Sequence, residues 1–253
     1  MDIDLCAPGA PSWVELTTPD AHTSGDFYRE LFGWQLSSGM GEKDDSQTCL
    51  LRARPVAAIT SVPEAEHSAW TIYFHVADAD VTAAAVAAAG GRAVSPPQRV
   101  GQAGRTALFA DHAGTVFGVW EPADHQGAGV IIGEPGALHR GELITDDVEA
   151  SAVFYGAVFG WKLAAPQGPL GRRDWILGDT AVAVLLPRPP AMSADVPPYW
   201  DVYFSVADAS EASRTAENLG AALLMPATPT EHGAIAVLVD PVGAVFTVIA
   251  PHR

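Results

Sequence analysis

The chain of 253 residues is 48% hydrophobic and carries a formal net charge of -16 at pH 7. That length accommodates one large domain or two small ones, and the acidity excludes nucleic acid and anionic membrane as partners, since both require a basic face. Cys6 and Cys49 stand far apart and suggest no disulfide framework, the opening M-D-I-D-L-C lacks the pattern of an export signal, and no apolar run approaches the ~20 residues of a membrane span. A reducing cytoplasm is the expected location.

In chain order, residues 1–10 read as a short leader and Trp13 to Thr17 as a strand. Asp20 and Thr23 are alternative caps for a helix whose apolar face is Phe27, Tyr28, Leu31 and Phe32 and which Gly33 ends. Trp34 begins a return strand, Gly39 to Ser46 is a polar loop, and Thr48 to Ala53 and Val56 to Thr60 read as two strands around a turn at Pro55. The stretch Trp70 to Asp80 reads as a strand followed at once by an Asp cap and an Ala-rich helix from Val81 to Ala89, stopped by Gly90 and Gly91. Gly101 to Gly104 is expected as a loop between that helix and a strand pair, Arg105 to Ala110 and Val116 to Trp120, joined by D-H-A-G-T. Residues 124–135, rich in Gly and Pro, are the expected linker.

After the linker everything recurs. Glu142 repeats Glu15, Phe154-Tyr155 repeats Phe27-Tyr28 and Gly160-Trp161 repeats Gly33-Trp34, each 127 positions on. D-P-V-G-A-V-F at Asp240 repeats D-H-A-G-T-V-F at Asp111, and W-D-V-Y-F-S-V-A-D at Trp200 repeats W-T-I-Y-F-H-V-A-D at Trp70. "Strand, Asp, helix, Gly, strands" occurs twice within each half, so the chain reads as four βαβββ modules in two domains, an α+β fold. Two modules side by side, helices outside, make one curved mixed sheet whose concave face is a cup suited to a small molecule. Four modules in one chain can pair internally, so a monomer suffices, with a homodimer as the alternative.

These motifs, D-x-x-x-S-x-x-F-Y-x-x-L/V-F-G-W (Asp20 to Trp34, Asp147 to Trp161), Y-F-x-V-A-D and D-x-x-G-x-V-F, resemble the vicinal oxygen chelate superfamily of glyoxalases, extradiol dioxygenases and bleomycin-resistance proteins. The resemblance implies tandem glyoxalase-like domains at 11–123 and 136–253, and a lyase, isomerase, oxygenase or plain binder as the activity. In metal-dependent relatives three positions per domain supply ligands. Here they hold Trp13, Thr71 and Gly118, then Arg140, Asp201 and Thr247. Asp201 alone is a good ligand, whereas a metal centre wants three or four His, Cys or carboxylate donors. The expectation is therefore no cofactor, with a divalent metal on Glu142 and Asp201 as the alternative.

Glu15 and Glu142 keep the strand parity of the first position, so they point the same way. One reading is a carboxylate bonded to a neighbouring strand or to Arg140; the other is an acid/base or ligand-orienting group, since burial in an apolar cup favours the neutral carboxyl. Glu142, Asp201 and Glu15 are the catalytic candidates. Tyr73, Tyr203, His75, Trp13, Thr71, Arg140 and Thr247 are the ligand-binding candidates, with Tyr73, Tyr203 and His75 equally readable as wall or core residues. Trp13, Trp70, Trp120 and Trp200 are candidates for a stacking wall. His139 begins the second domain's first strand, His112 looks structural, and His22, His67, His125, His232 and His252 read as surface. No Walker loop, dinucleotide fingerprint, nucleophile elbow or C-x-x-C occurs. The expected function is binding, with metal-free acid/base turnover if catalytic, of a small apolar, oxygenated metabolite. The alternatives are a metal-dependent lyase, isomerase or dioxygenase, or a sequestering or structural protein.

Overall fold

The structure, a computed structural model, describes residues 7–38, 46–123 and 132–252. The first module comprises β1 (Pro11–Thr18), α1 (Ala21–Phe32), β2 (Gln35–Ser38), β3 (Ser46–Leu51) and β4 (Arg54–Ser61), and the second β5 (Ala69–His75), α2 (Ala79–Ala88), β6 (Arg92–Val100), β7 (Gly104–Ala110) and β8 (Val116–Pro122). The third holds β9 (Leu138–Thr145), α3 (Val148–Phe159), β10 (Lys162–Leu163), β11 (Arg173–Leu177) and β12 (Thr180–Pro187). The fourth holds β13 (Tyr199–Ser205), α4 (Ala209–Asn218), β14 (Ala222–Thr230), β15 (Gly233–Val239) and β16 (Val245–Pro251). They form two eight-stranded mixed sheets, ordered β2-β3-β4-β1-β5-β8-β7-β6 and β10-β11-β12-β9-β13-β16-β15-β14. The fold is thus α+β, two tandem glyoxalase-like domains of two βαβββ modules each. Among the described residues no helix is long and apolar enough to cross a membrane.

The recurring motifs have identifiable mechanical roles. Asp20 caps α1 by accepting from the Thr23 amide at 3.0 Å, and the Thr23 hydroxyl donates to the same carboxylate rather than capping the helix itself. Asp147 does the same for α3, and Asp78 and Asp208 cap α2 and α4. The Ser of D-x-x-x-S anchors the helix to the strand before it: Ser24 meets Thr18, and Ser151 meets Thr145, both at 3.0 Å and buried. Gly33 and Gly160 end α1 and α3 in the left-handed region (φ 72 and 70), where a side chain would be strained.

The compact units do not follow the halves of the sequence. Among the described residues one unit gathers 13–71, 132–139 and 201–252, and the other 7–12, 72–123 and 140–200. Each therefore takes a module from either half. In the first, Tyr28 stacks on Trp34 (ring centroids 5.6 Å apart) and meets Trp70 and Phe246 edge-on. Its hydroxyl donates to Asp240 at 3.0 Å and accepts from the Trp70 indole at 2.9 Å. In the second, Tyr155 stacks on Trp161, donates to Asp111 at 3.1 Å and accepts from Trp200 at 2.9 Å. The other oxygen of each aspartate holds its own turn: Asp111 accepts from the amides of Ala113 and Thr115, Asp240 from those of Val242 and Ala244. The indoles of Trp34 and Trp161 donate to the carbonyls of Gly136 and Gly9, each just ahead of the opening strand of the opposite half.

Several expectations need correction. The turn between β3 and β4 lies at Arg52-Ala53, both left-handed (φ 52 and 62), and Pro55 sits inside β4 opposite Leu50. Positive φ at both centres is the type I′ turn, whose twist matches that of the flanking strands; the copy of this turn, at Gly178-Asp179, has positive φ at Gly178 (φ 59). Gly101 to Ala103 joins β6 to β7, not a helix to a strand. The strands β6 and β14 leave no strand signal in the sequence, because Pro96-Pro97 interrupt the one and Pro226 and Pro229 the other; both lie at sheet edges, where a missing amide is tolerated. Trp70 and Trp200 belong to the aromatic cores, not to a ligand-facing wall. His232 is half-buried rather than surface. Cys6, the loop at 39–45, most of the expected linker (124–131) and His125 lie outside the described residues.

Two tests follow from the tyrosine bridges. Tyr28→Phe and Tyr155→Phe each strand a buried carboxylate oxygen and an indole N–H, so each is expected to lower unfolding free energy by about 1–3 kcal/mol in urea titrations without changing far-UV circular dichroism. Burial raises the Asp240 carboxyl above its usual pKa, opposed by hydrogen bonds from the turn amides and Tyr28. A carboxyl raised on folding contributes stability that is full below the unfolded value, near 3.8, and is lost as pH rises through the folded value. The stability of the wild type relative to Asp240→Asn is therefore expected to fall as pH rises from that ordinary value, as read from unfolding free energies across mildly acidic pH.

Candidate functional site

Strand alternation assigns each candidate to a face. In β1, Val14, Leu16 and Thr18 are fully buried while Trp13, Glu15 and Thr17 between them are half-buried. The first set faces the helices and the second faces away. By the same parity Thr71, Tyr73 and His75 on β5, Arg140 and Glu142 on β9, Asp201, Tyr203 and Ser205 on β13, and Thr247 on β16 all face away from the helices. These faces are the candidate site.

In the unit containing β1 and β13, Glu15 accepts a hydrogen bond from the Thr60 hydroxyl on β4. Asp201, 3% exposed, accepts from the Thr247 hydroxyl at 2.6 Å. Thr247 stands opposite Tyr203 in the parallel register of β13 and β16. His139 and Ser205 meet at 3.1 Å, and Ser205 donates to the Gly133 carbonyl. Trp13 and Thr71 are half-buried on the same side.

In the unit containing β5 and β9, Tyr73 lies opposite Gly118 on β8. A Cβ built on Gly118 would come within 2.3 Å of the Tyr73 ring, so the ring lies flat on the glycine backbone and fills that position. His75 stands opposite Trp120 in the same register. Glu142, 4% exposed, has Arg140 Nη2 at 3.7 Å from its carboxylate. Sequence reading missed the neighbours of this pair. Glu142 pairs with Val184, and Val184 with Asp174, so the three share one rung and one face. Asp174 is gripped by Arg172 Nη2 at 3.1 Å and by Gln167 Nε2 at 3.3 Å. The signal was present in the R-R-D-W-I run, where Arg172 and Asp174 alternate with Arg173 and the buried Trp175, but the strand pairing that aligns Asp174 with Glu142 is not written in any local pattern. His112 stands in its turn against the Phe154 ring, as a structural residue would.

The comparisons agree with this architecture. Residues 10–119 match the profile described as Glyoxalase/Bleomycin resistance protein/Dioxygenase superfamily, and residues 142–249 match a Glyoxalase-like domain. The fold also resembles a Mn(II)-bound glyoxalase from Novosphingobium aromaticivorans (TM-score 0.66, 17% identity, 97% of this chain and 83% of that one) and the 2,3-dioxygenase LapB from Pseudomonas sp. KL28 (TM-score 0.66, 13% identity, 96% and 93%). The chain is 36% identical over 261 residues to the anthracycline biosynthesis protein DnrV of Streptomyces peucetius, covering 96% of this chain and 94% of DnrV. It is 33% identical over 252 residues to CFP32 of Mycobacterium bovis, covering 96% and 95%. The chain belongs to the Glyoxalase/Bleomycin resistance protein/Dioxygenase superfamily.

Metal-bound members of this fold raise the question whether these residues suit an ion. Among the described residues no three His, Cys, Asp or Glu side chains gather. At the positions singled out by the resemblance, the Tyr73 ring fills the space at Gly118, Thr247 takes one oxygen of Asp201, and Arg140 brings a cation to Glu142. This donor set does not fit a divalent ion. The Tyr73 packing is directly testable. Gly118→Ala forces the ring aside and is expected to cost about 1–3 kcal/mol of stability. The same change in a Tyr73→Ala background is expected to cost much less, a non-additivity readable in a double-mutant cycle.

Proposed function

We propose that this protein receives a small, largely apolar, oxygenated aromatic metabolite against the helix-opposite faces of its duplicated sheets, the two domains being residues 11–123 and 136–253. The observation that carries the reading is the set of buried or half-buried, already partnered polar groups on those faces. Glu142 with Arg140, Asp201 with Thr247 and Glu15 with Thr60 are fixed in direction by their neighbours and set among apolar residues such as Val184 and Ile144. Apolar walls supply affinity, while a few oriented polar groups choose the pose. The full-length relation to a protein named for anthracycline biosynthesis supports a fused-ring, oxygenated ligand. Glu142, Asp201 and Glu15 serve as ligand-orienting groups in this reading and as the acid/base groups if the bound ligand turns over. No metal-dependent step enters it.

The test is a fluorescence titration of EDTA-stripped protein with an anthraquinone probe, followed by product analysis of the mixture. Saturable micromolar binding is expected, weakened about tenfold, roughly 1.4 kcal/mol, by Asp201→Asn or Glu142→Gln. Binding without product marks a sequestering role, and product formed without added metal marks acid/base turnover. The absence of saturable binding up to millimolar probe overturns the proposal.

A further inference from the structure

Arg172 enters the structure at the first residue before β11, bridged to Gln167, whose amide donates to the Arg172 carbonyl at 2.7 Å. Its side chain is only 14% exposed. Nη2 is engaged by Asp174 at 3.1 Å, and Gln167 holds the other oxygen of that carboxylate. The remaining nitrogens, Nε and Nη1, are both buried and have no acceptor among the described residues. A guanidinium stays protonated in proteins, so these are obligatory donors. Withholding acceptors from buried charged donors is costly unless something supplies an oxygen. The position of the group says what that something is. Arg172 shares the parity of Asp174, which stands on the rung of Val184 and Glu142, on the face away from α3. Trp175, one residue further on, points the other way and meets Tyr155 of α3. The unmet donors therefore belong to the ligand-facing side of this module and not to its core. They are pre-oriented as well, since Asp174 and Gln167 fix the guanidinium before any ligand arrives.

We infer that Arg172, positioned by Asp174 and Gln167, is the binding group for an anionic oxygen of the ligand, a carboxylate or an ionised phenol. The inference rests on the binding role proposed above and adds the charge of the ligand to it. An acid and its neutral ester present nearly the same apolar surface, so they separate the contribution of Arg172 from that of the walls.

The experiment titrates the full chain with anthraquinone-2-carboxylate, with its methyl ester, and with 2-hydroxyanthraquinone at a pH where the phenol is ionised. Wild-type protein is expected to bind at least one anionic probe ten times or more tighter than the ester, and the preferred anion tells carboxylate from phenolate. Arg172→Gln is expected to bring that ratio close to one while leaving ester affinity unchanged, which also reports that the variant is folded. Arg172→Lys, which keeps the charge but loses the planar fork, is expected to fall between them. A wild type with no preference for the anions, or a preference that survives in both variants, overturns the inference and leaves the binding role standing. Failure of all three probes, the ester included, overturns both.

Discussion

Two phenol hydroxyls, each held between a carboxylate and an indole, are the constraint on which the rest of the structure depends. Tyr28 reaches Asp240 and Tyr155 reaches Asp111, so each F-Y motif is completed by the D-x-x-G-x-V-F turn of the opposite half. The aspartate has two separate tasks, folding its own turn through one oxygen and receiving the phenol through the other. Burial pushes both tyrosines far above the usual phenol range, with the neighbouring aspartate charge adding to it, so each phenol remains a donor. A buried carboxylate and a buried indole N–H without that hydroxyl would each lose a partner that the apolar surroundings cannot replace. This is why the repeat reads so clearly. Neither copy of the motif is satisfied by its own half.

The exchange explains where the two halves have diverged. Many positions facing the helices match across the repeat, among them Leu16 with Leu143, Phe74 with Phe204, Phe117 with Phe246 and Val119 with Val248, although Val14 stands against Gly141. Positions facing away differ: Trp13 against Arg140, Thr71 against Asp201, His75 against Ser205, Gly118 against Thr247. Cores are close-packed and punish changes of volume, so the helix side holds its residues. The opposite side carries little of that packing and is free to change chemistry. Glu15 with Glu142, and Tyr73 with Tyr203, remain the same on the freer side.

The four-module architecture was legible in the sequence because each of its devices is local: an Asp cap, a Gly terminator, a Ser that returns to the preceding strand. What was not legible depends on pairing. The β3–β4 turn was placed at Pro55 because proline favours turns, yet the register puts Arg52 and Ala53 at the positive-φ positions and leaves the proline in a strand. The edge strands β6 and β14 were hidden by prolines that only an edge tolerates. Trp70 and Trp200 have the look of exposed aromatics, and their burial follows from the tyrosines that reach them from forty-odd residues away in the chain. In the candidate site, Glu142 and Arg140 were readable by parity, whereas Asp174 and Arg172 required knowing that β11 runs beside β12 and β12 beside β9.

The charges on that third module also bear on how this chain differs from its metal-bound structural neighbours. A carboxylate facing a low-dielectric sheet needs a counter-charge. Glu142 has Arg140 at 3.7 Å, and Asp174 has Arg172 at 3.1 Å, so each acid is matched by a guanidinium two residues before it in the chain. A divalent ion would supply charge without direction and demand several oxygen or nitrogen donors around it. A guanidinium supplies one charge with five donors in a fixed plane, and it asks for acceptors rather than ligands. The module thus asks for acceptors of hydrogen bonds, where a metal centre asks for donors of electron pairs. Asp174 meets part of that requirement, and in the inference drawn above an oxygen of the ligand meets the rest.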